Sequence, residues 1–227
     1  MRDEGLRALA REDDPEERAA LLAGRVRAGT LPPERVGALA FLGDPAALEV
    51  WVALGEAPPP TWQEVYDSLQ SVRNPASRRT ATLRRLRVRW AEGFPGHDAE
   101  VAVRVALAAA ECLPSEDLGE GAEGLEVVRA WLELEPGPAR ESQHADLEAR
   151  ATFLDQEASA GTPQGRHVAA CALRAAATVF SASAARYASL ALAALDPDPG
   201  ELAAVFPAST LARVRYRLEE WVVTAGS

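Results

Sequence analysis

Apolar positions recur along most of this chain at spacings of 3 and 4, the pattern of helices with one face turned inward. The longest such stretch, His167 to Leu195, is almost wholly alanine and aliphatic, and Arg174 and Arg186 are its only full charges. Ala169, Leu173, Ala176 and Phe180 fall on one helix face. Ser181 and Ser183 weaken the run, and Ala188, Leu192 and Leu195 restart it. Alanine is the best helix former because it loses no side-chain entropy on ordering. The stretch therefore reads as two helices, or one bent helix, at the middle of an all-helical protein.

The flanking segments repeat the periodicity with clear start and stop signals. Residues 3–11 read as a short helix. Asp14-Pro15, Pro32-Pro33-Glu34 and Asp44-Pro45 each open a helix, and Gly29, Gly43 and Gly55 are placed to end them. The inward residues are Ala19, Leu22 and Val26, then Val36, Leu39 and Ala40, then Leu48, Trp51 and Leu54. Pro58-Pro59-Pro60 is a stiff spacer that separates a short-helix module (1–57) from an Ala-rich helical bundle (61–227), the two free to pack as one domain.

Thr61 and Glu64 then fit a capping box whose helix ends near Asn74-Pro75. Further helices are expected at 76–92, with Leu83, Leu86 and Trp90 inward, and at 98–113. An acidic loop separates these from 125–134, with Leu125, Val128 and Leu132 inward. A polar helix follows at 139–160, and a last one at 209–223 has Leu211, Val214, Leu218 and Trp221 inward. Asp196-Pro197-Asp198-Pro199-Gly200 is a turn. The lone period-two candidate, VAVRV at 101–105, runs into alanines that favour helix. The expected fold is all-α: an irregular helical bundle or solenoid-like stacked helix pairs, with about nine to twelve helices and no strict repeat.

Composition narrows the function classes. A chain of 227 residues buries roughly 70% of its unfolded surface and supports a sizeable core. A net charge of −10 opposes a general nucleic-acid or anionic-membrane binder. All 24 basic residues are Arg, there is no Ile, and Asn74 is the one Asn. With so much alanine, this reads as GC-rich coding bias; selection for Arg forks would not explain the missing Ile. Cys112 and Cys171 form no disulfide framework, so a reducing cytoplasm is expected. The acidic N-terminus does not read as a signal peptide. Arginine at mid-bilayer costs about 2.5–3.5 kcal/mol or more, so the Ala-rich stretch does not read as a membrane span.

Residues 16–47 carry E-R-x-x-L-L-x-x-R-V-R-x-G-x-L, then E-R, then L-G-D-x-A-A. The matching residues are Glu17, Arg18, Leu21, Leu22, Arg25, Val26, Arg27, Gly29 and Leu31, continuing through Glu34, Arg35, Leu42, Gly43, Asp44, Ala46 and Ala47. This resembles a helical module of myxobacterial and planctomycete proteins. The V-R-x-A-x-A-A-A run through Arg104–Ala110 and the L-E-x-x-x-A-W of Leu125, Glu126, Ala130 and Trp131 are similar to the companion region of those proteins. The resemblance implies an all-helical fold and carries no activity, so it assigns no catalytic residue. Some Ala-rich proteins of this kind are thought to be immunity proteins of toxin systems, which makes that role the alternative here.

Four constellations could carry chemistry. Gly119, Gly121 and Gly124 match G-x-G-x-x-G, but no strand precedes them and Glu120 and Glu123 stand where pyrophosphate would sit. A flexible acidic loop is the plainer reading, and no cofactor is expected. His167 and Cys171, at i and i+4, could form a nucleophilic pair, yet no orienting acid is near in sequence and alanines surround them. His97, Asp98 and Glu100, or His144 and Glu148, could contribute to a metal site but lack any ligand signature, so no metal is expected.

The fourth is charge segregation. Residues 73–89 hold seven arginines (Arg73, Arg78, Arg79, Arg84, Arg85, Arg87 and Arg89) and no acid, while residues 111–126 hold six acids and no base. Adjacent stretches would neutralise each other; separated ones would make the arginine helix a docking surface. The expectation is a non-catalytic helical protein–protein interaction module that uses these arginines. No nucleic acid is expected as a partner, because Trp90 lies on the apolar face and no aromatics interleave the arginines. An enzyme built on the Cys–His pair is the rival from another class.

Overall fold

The computed structural model describes residues 14–94, 99–159, 164–178, 180–195 and 208–223. Among the described residues there are thirteen helices and no strand. They are α1 (Pro15–Arg27), α2 (Pro33–Phe41), α3 (Pro45–Ala53), α4 (Trp62–Ser68), α5 (Pro75–Gly93), α6 (Ala99–Ala110) and α7 (Ser115–Leu118). Then come α8 (Gly121–Glu133), α9 (Pro138–Glu141), α10 (His144–Ser159), α11 (Gln164–Ala177), α12 (Ser181–Leu195) and α13 (Ala208–Val223). The all-α architecture is the expected one, with the single turns α7 and α9 extending the count. The expected helix at 3–11, the turn at 196–200, and His97 and Asp98 lie outside the described residues, as does the side chain of Leu83.

Local signals set the helix ends. The Asp14 carboxylate accepts the Glu16 N–H (2.9 Å) and Asp44 accepts that of Ala47 (2.9 Å). Thr61 and Glu64 complete a capping box. Gly29, Gly43 and Gly55, all with positive φ, close α1, α2 and α3, a conformation that costs glycine nothing sterically.

The centre is α11, packed on α6, α7, α8, α10 and α12. Val168 through Leu173, Ala175 and Ala176 are buried, with His167 exposed and Arg174 half-buried on its polar edge. The Ala-rich stretch is thus two helices. They part at Thr178, whose hydroxyl accepts the Phe180 N–H (3.3 Å). Phe180 itself is exposed, not inward, because the break turns it out of the stripe; Leu54 is likewise exposed, just past the end of α3.

The expected acidic loop is instead α7 and the first turn of α8. A Cβ on Gly121 would lie 2.8 Å from the Ala169 Cβ, and one on Gly124 3.0 Å from Leu173 Cδ1. A Cβ on Gly165 would lie 2.2 Å from the Asp117 carbonyl oxygen. The glycine pattern therefore serves backbone-close packing of α7 and α8 on α11. The expected polar helix at 139–160 is broken between α9 and α10, and α10 hides an inward stripe of Leu147, Ala151 and Leu154.

The short helices α1–α3 meet the rest through Phe41, Trp90 and Phe94, whose ring centroids lie 4.8–5.7 Å apart. Trp90 Nε1 donates to the Phe41 carbonyl (3.3 Å), and the Arg35 guanidinium donates to that of Trp221 (2.6 Å). Buried residues on both sides of Pro58-Pro59-Pro60 belong to one continuous cluster.

Candidate protein-docking surface

The arginine-rich segment forms α5. Asn74 accepts the N–H groups of Ala76 and Ser77 (3.0 and 3.3 Å), and Pro75 supplies the preset first turn. Thr82, Leu86 and Trp90, four residues apart, are buried and turn one face onto α12 and the aromatic cluster. Arg84, Arg85 and Val88 lie outside that face and are exposed.

The seven arginines divide by task. Arg78 donates twice to the Tyr66 carbonyl (Nε 3.0 Å, Nη2 2.5 Å) and lies 3.9 Å over the Tyr66 ring, which fastens α4 to α5. Arg87 is half-buried; its Nε finds no partner among the described residues, and burial pushes its pKa down. Arg89 is near Glu64, whose pKa is lowered first by the Thr61 hydrogen bonds and then by that positive charge. The side chain of Arg79 lies outside the described residues. Arg73, Arg84 and Arg85 are exposed, and among the described residues no carboxylate lies within ion-pairing distance of them. Val88 stands one turn from Arg84 and Arg85 and is 49% exposed.

Among the described residues the acidic stretch makes no ion pair with this face. Glu111 and Glu126 both pair with Arg129 of α8 (2.8 and 2.5 Å). Glu116, Asp117, Glu120 and Glu123 are exposed. The two stretches hang on different members of the central pair, α5 on α12 and α8 on α11. Outward-facing Val88 was not singled out in the sequence. Its signal is its position one turn from both Arg84 and Arg85, opposite the inward Leu86 and Trp90.

The His167–Cys171 pair gains a third member. Asp155 of α10 brings Oδ1 to 3.3 Å from His167 Nδ1, and Cys171 Sγ lies 3.8 Å from His167 Nε2. Arg174 binds Asp155 and reaches Glu148 (3.3 Å). Asp155 and His167 sit symmetrically about the α10–α11 connection, the one sequence signal for their meeting. The order of groups resembles a catalytic triad, but the thiol is 1% exposed. Burial first, then the Asp155 charge, pushes its pKa up to about 12. Near neutral pH it holds its proton, and a thiol is a poor nucleophile. Among the described residues no group of three or more His, Cys, Asp or Glu could hold a metal ion, and no helix is long and apolar enough to cross a membrane.

Comparison with protein-family models, curated proteins and solved structures finds no match. Functional inference therefore rests on the chemistry of the surface.

Proposed function

We propose that this chain is a non-catalytic helical docking protein that receives an acidic protein surface on the outer face of α5. The observation that carries the reading is the exposure of Arg84 and Arg85 with no carboxylate of the described residues in reach, beside exposed Val88. Two charges beside an apolar residue suit a protein partner; bases would need stacking aromatics, and the net charge of −10 opposes nucleic acid. Exposed charges of this kind add only about 0–1 kcal/mol each to stability. Their larger effect is on association rate and orientation. The two cysteines are free thiols, in keeping with a reducing cytoplasm.

The test places a photo-crosslinker at position 88 and compares wild type with Arg84→Glu/Arg85→Glu in extract of the source cells. Arg78 is left intact because it holds α4. The expected result is one stoichiometric crosslinked partner, lost in the reversal variant while helical circular dichroism is unchanged. Equal crosslinking in both, or none in either, refutes the docking face.

A further inference from the structure

We infer that the acidic surface received by α5 is the groove between α8 and α10 of a second copy of this chain, so that copies associate head to tail. This rests on reading α5 as a docking face.

The groove, about 530 Å³, follows from the α8 packing. Gly121 and Gly124 occupy the inward arc of the first turn against α11, so Glu120 and Glu123 are turned out along one wall. Asp146 and Arg150 line the other wall and bind each other (2.8 Å). Among the described residues no base pairs with Glu120 or Glu123, so these two carry the net charge of the groove. Phe153, 51% exposed, lies one turn beyond Arg150.

The two surfaces match in kind. On α5 two arginines stand one turn from an exposed valine; in the groove two glutamates accompany an exposed phenylalanine. Among the described residues of one chain the two surfaces do not pair, α5 packing on α12 while α8 and α10 pack on α11. Two copies can bring them together. The surfaces differ, so the contact is heterologous, and each added copy presents a fresh arginine face and a fresh groove. The net charge of −10 repels copies in other orientations, while the basic face against the acidic groove is attractive, which selects that arrangement.

Sedimentation of the full chain at low salt, at concentrations up to about 1 mM, the dissociation constant of a weak specific complex, tests this. The expected mass rises with concentration above the 24.2 kDa of one chain. It falls back at about 0.5 M salt, where screening acts within a few ångström. Arg84→Glu/Arg85→Glu and Glu120→Arg/Glu123→Arg are each expected to stay monomeric with unchanged circular dichroism. Mixed together they should associate again, since the groove kept by one takes the arginine face kept by the other and the two reversed faces are again of opposite charge. If the Arg substitutions disturb α8, Glu120→Gln/Glu123→Gln tests the same wall. A wild-type mass that never rises, association indifferent to both reversals, or a mixture that fails to pair overturns the inference. A monomeric chain that still crosslinks an α5-dependent partner would overturn self-association alone and leave the docking reading standing.

Discussion

Gly24 and Gly165 are both helical glycines, for opposite reasons. Nothing lies within 4 Å of where a Cβ on Gly24 would stand, whereas one on Gly165 would lie 2.2 Å from the Asp117 carbonyl oxygen. Gly24→Ala is therefore expected to stabilise the protein by up to about 1 kcal/mol, the propensity gain of alanine within a helix. Gly165→Ala should destabilise it by about 1–3 kcal/mol or more, because backbone must move. Urea unfolding of the two variants checks both signs. Cys171 makes a second prediction at this scale. Its pKa rises on folding from 9.0 to about 12, so above pH 9 the unfolded chain releases a proton that the folded chain retains. The stability tied to this group is whole below pH 9 and declines as pH climbs toward 12. The slope is about 1.4 kcal/mol per pH unit within that window. Cys171→Ala should lack this component, and alkylation of the native thiol at pH 8 should be slow until the protein unfolds. Caps and stop glycines were legible here, since each acts within four residues of itself. Asp155 beside His167 and the Asp117 carbonyl above Gly165 were not, because both depend on a neighbouring helix.

At the scale of elements, single arginines act as fasteners. Arg140, nearly buried, donates to the Leu134 and Leu132 carbonyls (2.8 and 3.1 Å) at the end of α8. It also pairs with Glu100 at the start of α6 (3.1 Å) and lies 4.6 Å over the Trp131 ring. Arg140→Ala would leave these carbonyls and part of the Glu100 charge without a donor, and a loss of about 3 kcal/mol is expected by denaturant unfolding. Arg78 plays the corresponding role for α4, whose contacts run chiefly to α5. Arg78→Ala should speed amide exchange over Trp62–Ser68 roughly ten-fold or more, since a hydrogen bond from a charged donor is worth about 1.5–3 kcal/mol. Exchange in α11 should be unchanged. The apolar stripes of α1, α8 and α13 were legible because one face is clean. That of α10 was not, since the charges crowded between Leu147, Ala151 and Leu154 mask the spacing. The break before α10 was missed for the same reason.

For the whole molecule, the triple proline marks a change of texture within a continuous core. Phe41, Trp90 and Phe94 pack across it, as do Arg35 and Trp221, whose ring lies 4.3 Å under the guanidinium. Unfolding followed by tryptophan fluorescence and by far-ultraviolet dichroism is expected to give one coincident transition; two separated transitions would show that 14–57 and the bundle unfold apart. Charge segregation was legible as composition, and the division of labour among the arginines was not. Only tertiary structure separates Arg78, spent on Tyr66, from Arg84 and Arg85, which face solvent.

The close seam between α8 and α11 reaches beyond thermal stability. Where helices meet glycine to alanine, little empty volume is left between them, and pressure unfolds proteins largely by eliminating internal voids. A centre built of methyl groups set against backbone should therefore make this a stiff, weakly compressible molecule, harder to unfold by hydrostatic pressure than its modest side chains would suggest.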